Sequence, residues 1–173
     1  MATVYLSLGS NVGDRLALLR RALQELQSIV LIGKVSSVFE TTPVGIQNQG
    51  NFLNMAVCGT TSLGPEELMN ALLAIEKSLG RVRENQGGPR TLDIDILFYD
   101  HITWNDANLR IPHPRYNQRL FVLAPLCQIN EQLICPVLQK SMKTLRMELN
   151  TQEQVVPVAQ LPIPSPKPYI ETN

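Results

Sequence analysis

The chain has 173 residues, 44% hydrophobic and 17% charged, with 15 basic side chains balancing 15 acidic ones. That length suits one domain around one sizeable core, and that apolar content is too high for a disordered chain. Zero net charge argues against a general polyanion binder, so nucleic acid is not an expected partner and an anionic ligand must be met by a local cluster of bases.

Strand signals open the chain at Val4-Tyr5-Leu6-Ser7-Leu8 and stop at Gly9-Ser10-Asn11. Asn11 or Asp14 can then cap a helix in which Leu16, Leu19, Leu23 and Leu26 recur at helical spacing. Two extended runs follow, Ile29 to Ile32 and Val35 to Phe39, and Thr41 to Gly50 reads as an ordered loop. Phe52 to Thr61 is a further strand. Gly64-Pro65-Glu66-Glu67 opens a second helix whose Leu68, Leu72, Ile75 and Leu79 share one face. A second loop, Arg81 to Pro89, leads into the strand Leu92 to Phe98. The resulting order, strand-helix-strand-strand-helix-strand, predicts an α+β ferredoxin-like sandwich: an antiparallel βαββαβ sheet with helices on one face and extra C-terminal elements.

Beyond Thr103 come a loop with histidine and arginine and an apolar segment, Phe121 to Leu126. Five prolines fall in the last 17 residues. The expected organisation is one catalytic domain, 1–156, and a proline-rich tail, 157–173, running extended on the surface or disordered. Cys58, Cys127 and Cys135 are odd in number and lack C-x-x-C spacing, which fits reduced thiols in a reducing compartment. The N-terminus has no basic region followed by a long apolar core, and no window approaches the roughly 18 apolar residues of a membrane span. A cytoplasmic monomer without membrane partners is expected.

Asp93-x-Asp95 stands inside an otherwise apolar strand, where alternation puts both carboxylates on one face and Leu92, Ile94 and Ile96 on the other. Two acids so close repel each other unless a cation lies between or beside them, and a carboxylate pair suits Mg²⁺ bound with phosphate. A solvated strand face is the competing explanation. Arg81, Arg83 and Arg90 lie just upstream, and Arg110, His113, Arg115 and Arg119 downstream. Arginine's planar fork matches phosphate oxygens, so the set reads as a polyphosphate clamp. No Walker-type phosphate loop is present.

Gly80-Arg81-Val82-Arg83 and Gly88-Pro89-Arg90-Thr91-Leu92-Asp93-Ile94-Asp95-Ile96-Leu97 resemble the signature of the 6-hydroxymethyl-7,8-dihydropterin pyrophosphokinase family. The likeness extends to Leu8-Gly9-Ser10-Asn11, Thr41-Thr42-Pro43, Phe52-Leu53-Asn54, Ile111 to Arg115 and Arg119 to Leu126. It covers roughly residues 2 to 138 in one order. The resemblance implies pyrophosphate transfer from ATP to a hydroxymethyl-dihydropterin in folate biosynthesis, with two Mg²⁺ ions and AMP as co-product. It implies metal ligation by Asp93 and Asp95, and catalytic roles for these two with Arg81 and Arg90. ATP contacts would come from Glu76, Arg81, Arg83, Arg90, Ile96, Arg110, His113 and Arg119. The pterin would meet Thr42, Pro43, Val44, Phe52, Asn54, Asp95 and Phe121. A flat heterocycle suits two aromatic faces and a side-chain amide at its edge, which Phe52, Phe121 and Asn54 can supply.

Two departures stand out. Many family members carry a loop tryptophan where this chain has Gly87, and Trp104, the only tryptophan, lies elsewhere. The wording after His113, Pro114-Arg115-Tyr116-Asn117-Gln118, also differs from the commoner pattern. Two rivals remain at this point. One is a Mg-dependent phosphoryl or nucleotidyl transferase acting on another planar alcohol; the other is a non-catalytic pterin- or nucleotide-binding module.

Overall fold

The computed structural model describes residues 1–41, 50–81 and 91–165. Strand β1, Ala2–Ser10, sends Val4, Leu6 and Leu8 into one apolar cluster and Tyr5 into another on the opposite face. Helix α1, Arg15–Leu26, begins at Asp14, whose Oδ1 accepts the Ala17 amide at 3.0 Å. That bond satisfies one of the donors a helix start leaves open, so Asp14 and not Asn11 is the cap. Leu19, Ala22, Leu23 and Leu26 form its buried stripe.

Strands β2, Leu31–Val35, and β3, Val38–Thr41, both run antiparallel to β4, Phe52–Thr61, at different heights. Together they form one strand interrupted at Ser36. There the Ser36 amide donates to the Ala56 carbonyl at 2.9 Å, and the Ser36 hydroxyl accepts the Ala56 amide at 2.8 Å. Helix α2, Pro65–Ser78, starts with proline where no amide partner is needed, and Glu67 accepts the Gly64 amide at 2.8 Å. It buries Leu68, Leu72 and Ile75 beside α1. Each such leucine removed from water contributes about 2 kcal/mol, which is what holds both helices on this face.

Strand β5, Asp93–Tyr99, closes the set at the free edge beside β1. The sheet order is β5-β1-β4-β3, with β2 also on β4. Counting β2 and β3 as one strand, this is the ferredoxin-like arrangement. The β1–β5 register slips between Tyr5 and Leu6, pairing Tyr5 with Phe98 and Leu6 with Ile96. The residue left over, Leu97, joins Phe98 in the second cluster.

Chain beyond β5 covers that second face. After a small hairpin, β6 (Trp104–Asn105) and β7 (Arg110–Ile111), come α3, Leu120–Asn130, and α4, Met142–Glu148. The apolar run Phe121 to Leu126 is therefore helical, and it is buried against Tyr5, Ala56 and Phe98. The sheet thus carries helices on both faces, the added layer coming from the C-terminal elements. Strand β8, Val155–Ala159, pairs antiparallel with β3, and Leu161 enters the first core at 2% exposure. The boundary expected at 156/157 falls within this strand. Residues 166–173 of the tail lie outside the described residues.

Candidate active site

The second sheet face is apolar where α3 lies on it and polar at the other end. Cross-strand register explains how. Ser7 stands opposite Asp95 on one side and Ala56 on the other; Gly9 stands opposite Asp93 and Asn54. Alternation turns these side chains to the same face as Tyr5 and Phe98, while Ile94 and Ile96 enter the first core. Two strand spacings separate Asn54 from Asp93, roughly 10 Å. Gly9 between them carries no side chain, and a Cβ there would meet Asn54 Oδ1 at 2.9 Å. Asn54, 4% exposed, donates from Nδ2 to Thr41 Oγ1 at 2.9 Å. Phe52 shares its face, two residues earlier on β4.

Asp93 is met by Arg81. A single Nη1 of Arg81 stands 2.5 Å from Asp93 Oδ1 and 2.5 Å from Glu76 Oε1. Burial works against the Arg81 charge, but Asp93 and Glu76 together hold its pKa above the ordinary arginine value. Glu76 is 2% exposed, and its Oε1 also accepts the Ile94 amide at 2.7 Å. Strand β5 is an edge strand, so this amide has no neighbouring strand to bond; a buried carboxylate from α2 takes that place.

His113 reaches Asp95 with Nε2 3.9 Å from Oδ2, and its Nδ1 accepts the Arg115 amide at 3.2 Å. Burial pushes the imidazole down to about 4, helped by the Arg119 and Arg115 charges and opposed by Asp93. The ring is neutral near pH 7. With Nδ1 accepting, its proton sits on Nε2, the nitrogen facing Asp95. Arg119 lies over the Phe121 ring, 5.5 Å from its centroid.

A cavity of about 800 Å³ opens along β5. Glu76, Arg81, Asp93, Asp95, Ile96, Arg110 and His113 line it, seven of the residues singled out from sequence. Phe52, Asn54, Phe121 and Arg119 are not part of its wall; the first two continue the same sheet face beyond Gly9. Thr42, Pro43, Val44, Arg83 and Arg90 lie outside the described residues.

Sequence reasoning missed other parts of the wall, Met69, Asn70 and Leu73 of α2 and the β6–β7 hairpin from Asp106 to Leu109. Asp-Ala-Asn is a turn signal, and it could have placed the hairpin. Asp106 Oδ1 accepts the Asn108 and Leu109 amides, both at 2.8 Å, and Trp104 Nε1 donates to its Oδ2. The chain's single tryptophan therefore fixes the wall of the cavity.

Among the described residues no group of three or more His, Cys, Asp or Glu could hold a metal. The Asp93–Asp95 pair still fits Mg²⁺. It offers hard oxygen donors on one face at the mouth of a ligand-sized cavity, with Asp95 40% exposed, and Mg²⁺ fills its remaining positions with phosphate oxygens and water.

The family model described as 7,8-dihydro-6-hydroxymethylpterin-pyrophosphokinase matches residues 5–131. A 2-amino-4-hydroxy-6-hydroxymethyldihydropteridine pyrophosphokinase of Aquifex aeolicus is 42% identical over 148 residues, covering 86% of this chain and 92% of the relative. The Bacillus subtilis protein of the same name is 50% identical over 131 residues, covering 75% and 78%. Among solved structures, wild-type Plasmodium falciparum HPPK-DHPS with pteroate superposes with a TM-score of 0.71 over 85% of this chain, at 16% identity. This chain spans 42% of that one, and likeness at such identity shows the fold alone.

Proposed function

The chain belongs to the 7,8-dihydro-6-hydroxymethylpterin-pyrophosphokinase family, and from that premise we propose how its residues divide the work of moving pyrophosphate from ATP to a hydroxymethyl-dihydropterin. The observation that carries the reading is the row Asn54–Gly9–Asp93. It puts a buried amide and a carboxylate on one sheet face, either side of a residue without a side chain, which supports a heterocycle edge at the first and a cation at the second.

ATP occupies the cavity along β5, its adenosine toward α2 and the Asp106–Leu109 turn and its phosphates toward Arg81, Asp93, Asp95 and His113. The pterin lies flat over Gly9, between Phe52 and Phe121, with Asn54 at its edge; Thr42, Pro43 and Val44 are assigned to the same substrate by the family resemblance. The hydroxymethyl oxygen attacks the β-phosphorus, the bond from β-phosphorus to the α-bridging oxygen breaks, AMP leaves, and the hydroxyl proton is released to solvent. Asp93 and Asp95 would hold Mg²⁺, two ions in this reading, which supplies charge neutralisation of the triphosphate when bound. Arg81 and Arg119 add fixed positive charge, joined by Arg83, Arg90 and Arg110. Neutral His113 donates from Nε2 to a phosphate oxygen and is no proton shuttle at neutral pH.

Phosphoryl-type transfer of this kind runs largely on positioning and charge, since its transition state is loose. No dedicated base for the alcohol is needed. The test is nucleotide analysis of the reaction with dihydropterin alcohol and Mg-ATP. AMP should form in step with pterin diphosphate; accumulation of ADP would exclude this assignment and favour a simple kinase.

No helix of the described residues is long and apolar enough to cross a membrane. A cytoplasmic monomer remains part of the proposal, and sedimentation of the purified chain tests the monomer.

A further inference from the structure

The C-terminal segment fastens two elements that the proposed site uses. Strand β8 pairs along the outer edge of β3, with Val155 opposite Thr41 and Val156 opposite Glu40. On its inner side Thr41 stands opposite Phe52 and accepts the Asn54 side-chain amide. Two residues before β8, Glu153 Oε2 accepts the amide of Leu120 at 2.9 Å. Leu120 is the first residue of α3, and the N-cap, Arg119, gives that helix no side-chain cap. A carboxylate from 33 residues further on supplies it. A negative group at a helix start satisfies an open amide and meets the positive end of the helix dipole.

Leu120 sits between Arg119 and Phe121. The carboxylate therefore fixes the backbone from which the phosphate-facing arginine and the pterin-facing ring both project. Its own placement is set locally, since the Glu153 amide donates to Thr151 Oγ1 at 3.1 Å. Further on, Leu161 is buried in the first core and Gln160 Oε1 accepts from the Ser37 hydroxyl at 2.9 Å, so the segment is anchored on both sides of β8.

We propose that residues 151–161 are a brace for the pterin end of the site, with Glu153 a positioning residue acting through the Leu120 amide on Arg119 and Phe121. The brace itself, residues 151–161, lies beyond 131, where the family match ends, while the residues it positions lie within that match. The inference rests on the site assignment above. It makes pterin recognition depend on a segment that touches no substrate.

The test compares wild type, E153A and E153Q at a temperature well below their melting points. Glutamine keeps an acceptor oxygen for the Leu120 amide; alanine removes it. E153A should raise KM for the dihydropterin alcohol about tenfold, equal to about 1.4 kcal/mol. Its KM for Mg-ATP should rise less, by about threefold at most, because Arg119 lies outside the cavity wall and is one of several cations assigned to the triphosphate, and E153Q should restore most of the loss. Amide exchange at Leu120 and Phe121 should quicken in E153A alone. A pterin KM within twofold of wild type in E153A overturns the proposal, as does an equal rise in both KM values or a failure of E153Q to recover. If E153A does not fold, T151A, which removes only the turn that sets Glu153, is judged by the same pterin-to-ATP comparison. Should the wild type make no pterin diphosphate, the site assignment itself fails; should it do so while E153A is unaltered, only the brace fails.

Discussion

Arg81 and Asp93 meet at 2.5 Å at the mouth of the cavity, and the same guanidinium nitrogen also meets Glu76. One cation thus meets two carboxylates, one of them almost wholly buried. Arg81 therefore holds Asp93 in place from the helix side while Glu76 holds the backbone of the next residue, Ile94. The Asp93 end of β5 is built by α2 as much as by the sheet.

Glu76→Ala should destabilise the fold by about 3 kcal/mol, because it leaves the Ile94 amide without an acceptor and removes one partner of a mostly buried arginine. Glu76→Gln keeps an acceptor of the same shape and should cost clearly less. Denaturant unfolding of both variants measures the difference. A loss below about 1 kcal/mol in the alanine variant, the value of one ordinary hydrogen bond, would mean that Glu76 is no structural hub.

Much of this architecture was legible in the sequence because its signals are local. The leucine stripes of α1 and α2, the proline-and-acid start of α2 and the alternation around Asp93 each depend on neighbours within one element. The strand Phe52–Thr61 is the one its β-branched and apolar run indicates. Less legible were features set by distant partners. A slip between Tyr5 and Leu6 sends Leu97 and Phe98 together into the second core, which no alternation rule foresees. The run Phe121 to Leu126 is apolar all round because α3 is covered on both sides, so it shows no stripe to read. Strand β8 contains Pro157, a poor strand residue, and exists because β3 offers it an edge. In the site, the spacing of Asp93 and Asp95 is visible within one strand and Glu76 follows from the family resemblance, whereas the Asp106 turn that lines the same cavity lies in a segment that reads only as a loop.

Asp93→Ala and Asp95→Ala should each lower turnover about a thousandfold or more, since a lost metal-binding carboxylate commonly costs several kcal/mol of transition-state stabilisation. Far-ultraviolet dichroism should be unchanged, because both side chains lie outside the cores. Chelation of divalent metal from the wild type should abolish AMP formation and Mg²⁺ should restore it. Either variant retaining more than about a tenth of wild-type turnover, a loss under ~1.4 kcal/mol, would remove the pair from the chemistry.

The cysteines should behave as inert thiols. Burial pushes the thiol groups of both Cys58 and Cys127 up, and Cys135 is 1% exposed. Only the thiolate alkylates, so iodoacetamide labelling of the folded protein at pH 7.5 should run at least ~10-fold slower than in denaturant. Rapid labelling of Cys58 would show a thiolate stabilised by some contact absent from its described surroundings.

Gly9→Ala probes the link between the sheet register and the pterin. An alanine Cβ would lie 2.9 Å from Asn54 Oδ1, too close to coexist. The backbone of β1 is locked on both sides, by Asn54 on β4 and Asp93 on β5, so the side chain of Asn54 must give way. Its swing breaks the 2.9 Å bond to Thr41, which costs about 1 kcal/mol of stability, and turns the amide away from the ligand face. Affinity for the dihydropterin alcohol should fall at least tenfold. Affinity for a nonhydrolysable Mg-ATP analogue should hold within about threefold, a change under ~0.7 kcal/mol, because Asn54 does not line the cavity along β5 proposed for the nucleotide. Asn54→Ala should show the same pattern. The double variant should lose little more than either single one, since both act through one amide. Additive losses would mean that Gly9 acts on the pterin directly through its open space. An unaltered pterin affinity in Gly9→Ala would mean that the amide is not the anchor at all.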